Sequence, residues 1–92
     1  MLPTIVVEPS GAGEFRVRVK DASGETTHVV TLADADHTRL TSGRVSPDEL
    51  VHRSFEFLLE REPKESILPR FDLRVIARYF PEYEREMRRR LG

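Results

Sequence analysis

An α+β domain is the fold this sequence predicts, on three observations. β-branched residues alternate with polar ones between Gly/Ser turn clusters up to about residue 45. Leu, Phe, Glu and Arg then recur at helical spacing. Strand patterns precede helix patterns rather than interleaving with them, which argues against βαβ units and an all-parallel sheet. The expected architecture is an antiparallel β-hairpin or three-stranded meander, at about 4–8, 15–21 and 26–32, packed against two or three C-terminal helices at about 47–62, 72–80 and 81–91. With 92 residues and no internal repeat, residues 1–92 read as a single α+β domain.

The first strand holds Ile5, Val6 and Val7 behind Pro3, which suits a strand start because no ladder donor is needed there. Pro9-Ser10-Gly11-Ala12-Gly13 then breaks the chain. In the second strand Phe15, Val17 and Val19 point one way and Arg16, Arg18 and Lys20 the other. Ser23-Gly24 carries hairpin chemistry into the third strand. The expected register sets Asp21 opposite Thr26, Phe15 opposite Leu32, Val17 opposite Val30 and Val19 opposite His28. A slip of one would turn Thr27 and Thr31 to the apolar side. Residues 33–44 fit either a short helical turn over 36–41 or a loop.

Ser46-Pro47-Asp48-Glu49 reads as a capping box, with Ser46 at N-cap, Pro47 at N1 and Glu49 reaching back. Leu50, Val51, Phe55, Leu58 and Leu59 then form one apolar face, flanked by an i,i+4 pair of Glu49 and Arg53. Pro63 stops this helix. Residues 64–70 read as a connector, and Asp72 as the N-cap of a second long helix with Leu73, Ile76, Ala77 and Phe80 inward. Pro81 restarts it, and Tyr83, Met87 and Leu91 extend the apolar seam.

Composition excludes several classes of function. Fifteen basic and sixteen acidic side chains give a net charge of −1, so no bulk attraction to nucleic acid or membrane follows. Cysteine is absent, which rules out disulfides and thiol chemistry and fits a reducing, cytoplasmic compartment. No apolar run reaches the length of a membrane span, and the N-terminus lacks signal-peptide character.

The run Ser46-Pro47-Asp48-Glu49-Leu50-Val51, then Ser54-Phe55-Glu56-Phe57-Leu58-Leu59-Glu60-Arg61-Glu62-Pro63-Lys64-Glu65-Ser66-Ile67-Leu68, resembles a small bacterial protein family of unknown function. Phe71-Asp72-Leu73 with Ile76, Tyr79, Phe80, Pro81 and Glu82 resembles its closing signature. The resemblance implies a compact stand-alone domain and no activity, cofactor or partner.

Catalytic and metal constellations are missing from the pattern. Asp34, Asp36 and His37 match neither an EF-hand loop nor a helical His pair, and alternating Asp in a polar connector is ordinary turn chemistry. His28 falls on the apolar face as a satisfied core histidine, and His52 at a helix margin. No Ser occupies a nucleophile elbow, His52 and Ser54 diverge on their helix, and Gly11-Ala12-Gly13 leads into a strand rather than a phosphate-binding helix. The expectation is therefore no enzyme, no catalytic residue, no metal and no cofactor.

Two surfaces remain. Residues 69–92 hold seven basic and four acidic side chains. Arg74, Arg78 and Arg85, with Arg16 and Arg18 of the hairpin, make the candidate nucleic-acid surface. Interleaved glutamates neutralise much of that stripe, and the chain has no Trp for base stacking. Phe57 lies about 160° around its helix from Phe55. With Tyr79, Tyr83 and Met87 it makes the candidate partner surface, and an edge strand offers a second route by strand addition. The leading expectation is a non-catalytic protein-interaction or accessory domain that binds a protein partner or self-associates as a homodimer. The alternative is a small nucleic-acid-associated protein; no membrane association is expected.

Overall fold

In the computed structural model, which describes residues 3–91, the chain runs β1 (Thr4–Gly11), β2 (Glu14–Asp21), β3 (Gly24–Thr31), α1 (Asp34–Thr41), α2 (Pro47–Leu59), a 3-10 turn (Lys64–Ser66), β4 (Arg70–Asp72), α3 (Val75–Tyr79) and α4 (Tyr83–Leu91). Residues 1, 2 and 92 of the predicted domain lie outside the described residues. The strands form one sheet in the order β1-β2-β3-β4. β1, β2 and β3 are the predicted antiparallel meander, and β4 joins β3 in parallel, so the sheet is mixed. The class is α+β, as the order of patterns predicts.

The hairpin register differs from the expected one by two residues. Asp21 pairs with Gly24, Val19 with Thr26, Val17 with His28 and Phe15 with Val30. The Asp21 carboxylate accepts from the Ser23 backbone N–H and hydroxyl, both at 2.8 Å, and this tightens the connection to Ala22 and Ser23. Gly24 takes φ +134°, a conformation that favours glycine and lets so short a turn rejoin the ladder. A two-residue shift preserves the facing of every side chain, so Phe15, Val17, Val19, His28 and Val30 still point inward.

α2 begins where the cap predicts. The Ser46 hydroxyl accepts from the Glu49 N–H at 3.3 Å, with Pro47 in the first turn. The Glu49 carboxylate does not reach back; it pairs with Arg53 at 2.9 Å. Residues 34–41 are helix rather than loop, and α1 closes on Ser42 in the left-handed region.

The second long helix of the prediction is not formed. Phe71 and the residues beside it leave the connector as β4, whose partners on β3 are Val29, Val30 and Thr31. Asp72 accepts from the Thr31 hydroxyl at 2.8 Å and from the Arg74 N–H at 3.0 Å, so its carboxylate holds a strand-to-turn corner rather than a long helix start. Only five residues of α3 follow before Pro81.

The helices cover one face of the sheet. Phe55 of α2 sits between His28 and Phe71, with ring centroids 5.4 and 6.0 Å away, and Tyr83 and Met87 of α4 close the core behind it. Arg39 joins α1 to α4 through Glu84 at 2.6 Å, and Arg90 joins α4 to the C-cap of α2 through Glu60 at 2.6 Å. The opposite face of β2, with Arg16, Arg18 and Lys20, is exposed.

Candidate functional site

The meander leaves β1 with one ladder. Its described backbone pairs with β2 alone, so the outer N–H and C=O groups of an eight-residue strand face away from the sheet. Such an edge is a template for another strand unless charge, proline or a bulge blunts it. Here the protection is uneven. Glu8, Pro9 and the irregularity between Pro9 and Gly11 guard the second half, while Thr4, Ile5, Val6 and Val7 carry no charge.

The core is also incomplete along this edge. Val17 and Val19, the β2 partners of Val7 and Ile5, are fully buried, yet Ile5 and Val7 are only half-buried. α2 passes beneath β1, and its Leu59 is half-buried as well. Between them lies a cavity of about 270 Å³ lined by Pro3, Ile5, Leu59, Glu56 and Glu60. The two carboxylates differ in how firmly they are held. Glu60 is engaged by Arg90 and, at 3.3 Å, by Arg61; the Arg90 hydrogen bond above all holds its carboxyl below the usual range. Glu56 has looser partners, Arg53 at 3.6 Å and His52 at 3.8 Å.

Of the residues predicted to form a partner surface, only Tyr79 is exposed, at 67%. Phe57, Tyr83 and Met87 are core residues, each at 1% exposure or less, and that part of the prediction is corrected. Phe57 leaves the main stripe of α2 because a second layer exists to receive it. Phe80 and Tyr83 meet its ring edge-on at 5.9 and 5.3 Å, and the Arg61 guanidinium covers its face at 3.6 Å.

The predicted nucleic-acid surface is spread over three places: Arg16 and Arg18 on β2, Arg74 and Arg78 at the start and within α3, and Arg85 on α4. All five are exposed. Arg18 is paired with Glu8 at 2.7 Å, and Arg74 with Asp72 at 2.9 Å and Asp36 at 3.7 Å. Arg16, Arg78 and Arg85 form no close ion pair among the described residues. Two of the five are thus drawn into ion pairs, and the β2 face offers no aromatic ring on which a base could stack.

Two of the three histidines serve the fold. His28, 2% exposed, bonds the Leu68 carbonyl and the Thr26 hydroxyl, both at 2.8 Å, and His37 bonds the Val45 carbonyl at 2.6 Å. Among the described residues no three His, Asp or Glu side chains converge as a metal site would require, and no helix is long and apolar enough to cross a membrane.

The sequence predicts an edge strand without marking which residues leave it open. The signal was the uncharged run from Thr4 to Val7, whose three consecutive apolar residues give no alternation. Comparison with protein-family models, with curated proteins and with solved structures finds no match to this chain. The resemblance carried by its helical half therefore brings no function to it.

Proposed function

We propose that this chain is a non-catalytic protein-interaction module that takes an extended segment of a protein partner onto the outer edge of β1. The observation that supports this reading is the half-burial of Ile5 and Val7 beside fully buried Val17 and Val19. An added strand supplies both what the ladder lacks and what the core lacks: main-chain hydrogen bonds and apolar side chains at alternate positions. Glu56, the more loosely held of the two carboxylates at the margin, favours a partner strand bearing a basic residue next to its apolar ones.

Selection of extended ten-residue peptides on the folded protein tests this reading. Binders are expected to alternate apolar residues with at least one Lys or Arg, to shift the Thr4–Glu8 amide signals and to slow their hydrogen exchange. An inward charge at an edge blocks strand addition. Ile5→Lys is therefore expected to weaken binding at least ten-fold while the protein stays folded and monomeric. Binders that map elsewhere, or that ignore Ile5→Lys, overturn the proposal.

A further inference from the structure

The end of α2, the 3-10 turn, β4 and α3 enclose a second cavity, of about 360 Å³, apart from the β1 edge. Its volume is more than twice the ~150 Å³ that accepts a benzene ring in an apolar protein cavity, and it falls within the range of small-molecule sites. The floor is hydrocarbon: Leu58, Phe71 and Ile76, all below 9% exposure. The rim holds Leu68 and Tyr79, exposed at 43% and 67%. Large apolar side chains left in water around an apolar hollow are what a ligand would cover.

One lining residue is charged. Glu62 is half-buried, and no ion pair or hydrogen bond engages its carboxylate among the described residues. This sets it apart from Glu49, Glu60, Glu65, Glu82 and Glu86, each of which is held by an Arg or Lys. A carboxylate that lines an apolar hollow without a counter-charge gains from a cation that arrives with its own apolar body. An anion is repelled there, and a neutral ligand leaves the carboxylate as it was.

From one unpaired carboxylate in an otherwise uncharged, mostly apolar lining, we infer that this pocket binds a small amphipathic organic cation, with a ring or short aliphatic chain over Phe71 and Ile76 and an ammonium group on Glu62. The inference is independent of the strand-addition reading, since the two sites share no residue.

Three probes of one shape test it: phenethylammonium, 2-phenylethanol and 3-phenylpropionate, each titrated into the ¹⁵N-labelled protein. All three present the same ring, so differences between them report the charge. The ammonium is expected to shift the Ile67, Phe71 and Ile76 amides and to bind about ten-fold more tightly than the alcohol, the size of gain a charge-assisted contact gives. The carboxylate is expected to bind most weakly. Glu62→Gln removes no contact of the fold, and it should bring the ammonium down to the alcohol while leaving the alcohol unchanged. Absence of shifts at these amides with the ammonium overturns the inference, and so does a cation preference that survives Glu62→Gln.

Discussion

The Lys64 ammonium lies 2.8 Å from the Asp21 carboxylate, although 43 residues separate them and Lys64 is 1% exposed. Its other protons go to the Ser23 hydroxyl at 2.6 Å and to Glu65. A lysine is rarely so withdrawn from water unless every donor is satisfied. The arrangement ties the β2–β3 turn to the 3-10 turn that leads into β4. It also explains the shortened hairpin loop, because the same Asp21 oxygen accepts from Ser23 twice.

This triad predicts acid lability. The Lys64 hydrogen bond, ahead of those from Ser23, lowers the Asp21 carboxyl from its ordinary 3.8 to about 2. Lys64 likewise lowers Glu65. A carboxyl that titrates lower in the folded chain contributes its full stability above the unfolded value and loses it as pH falls through the folded one. The urea midpoint should therefore drop between about pH 4 and pH 2. Asp21→Asn keeps an acceptor for Ser23 but loses the charge, so it should lower stability at pH 7 and flatten part of the acid slope. Equal slopes in the two proteins would remove the triad as the cause.

Phe57 and Tyr79 make a second contrast. Phe57→Ala opens a cavity beneath Arg61 and between two aromatic rings, at a cost of about 3–5 kcal/mol. That is a large share of the roughly 5–14 kcal/mol available to a chain of this length. Tyr79→Ala removes an exposed side chain and should stay within about 0.5 kcal/mol. Chemical denaturation distinguishes the two directly, and similar midpoints would contradict the burial assigned to Phe57.

What the sequence discloses of this fold follows the reach of each signal. Period-two alternation over Phe15–Val19 and the Ser46-Pro47 cap act locally, and both elements form where they predict. β4 was hidden because three residues cannot show a period and its ladder lies some 40 positions away on β3. Asp72 misleads for a related reason: an Asx turn and a helix N-cap use the same side chain on the same kind of N–H. The facing of the hairpin was readable and its register was not, since a shift of two leaves every inward residue inward. The edge of β1 needed the sheet order before its half-buried pair had meaning. The Glu62 pocket draws its walls from four elements, which no spacing in the chain brings together.

The Ser54–Tyr83 contact supports the third prediction, because its proton positions can be assigned. The two oxygens are 2.6 Å apart at exposures of 0% and 1%. The single Ser54 hydroxyl proton is directed at the Leu50 carbonyl at 2.8 Å, so the Tyr83 hydroxyl is the donor between them. Burial pushes the Tyr83 phenol well above its usual pKa, which keeps that proton in place. The two truncations are then unequal. Tyr83→Phe leaves Ser54 bonded to Leu50 and should cost about 0.5–1.5 kcal/mol. Ser54→Ala strands a buried donor and should cost about 1–3 kcal/mol. The double variant removes both partners and should be more stable than Ser54→Ala alone. Urea denaturation of the four proteins measures the cycle. If Tyr83→Phe proves the costlier single change, the proton runs the other way.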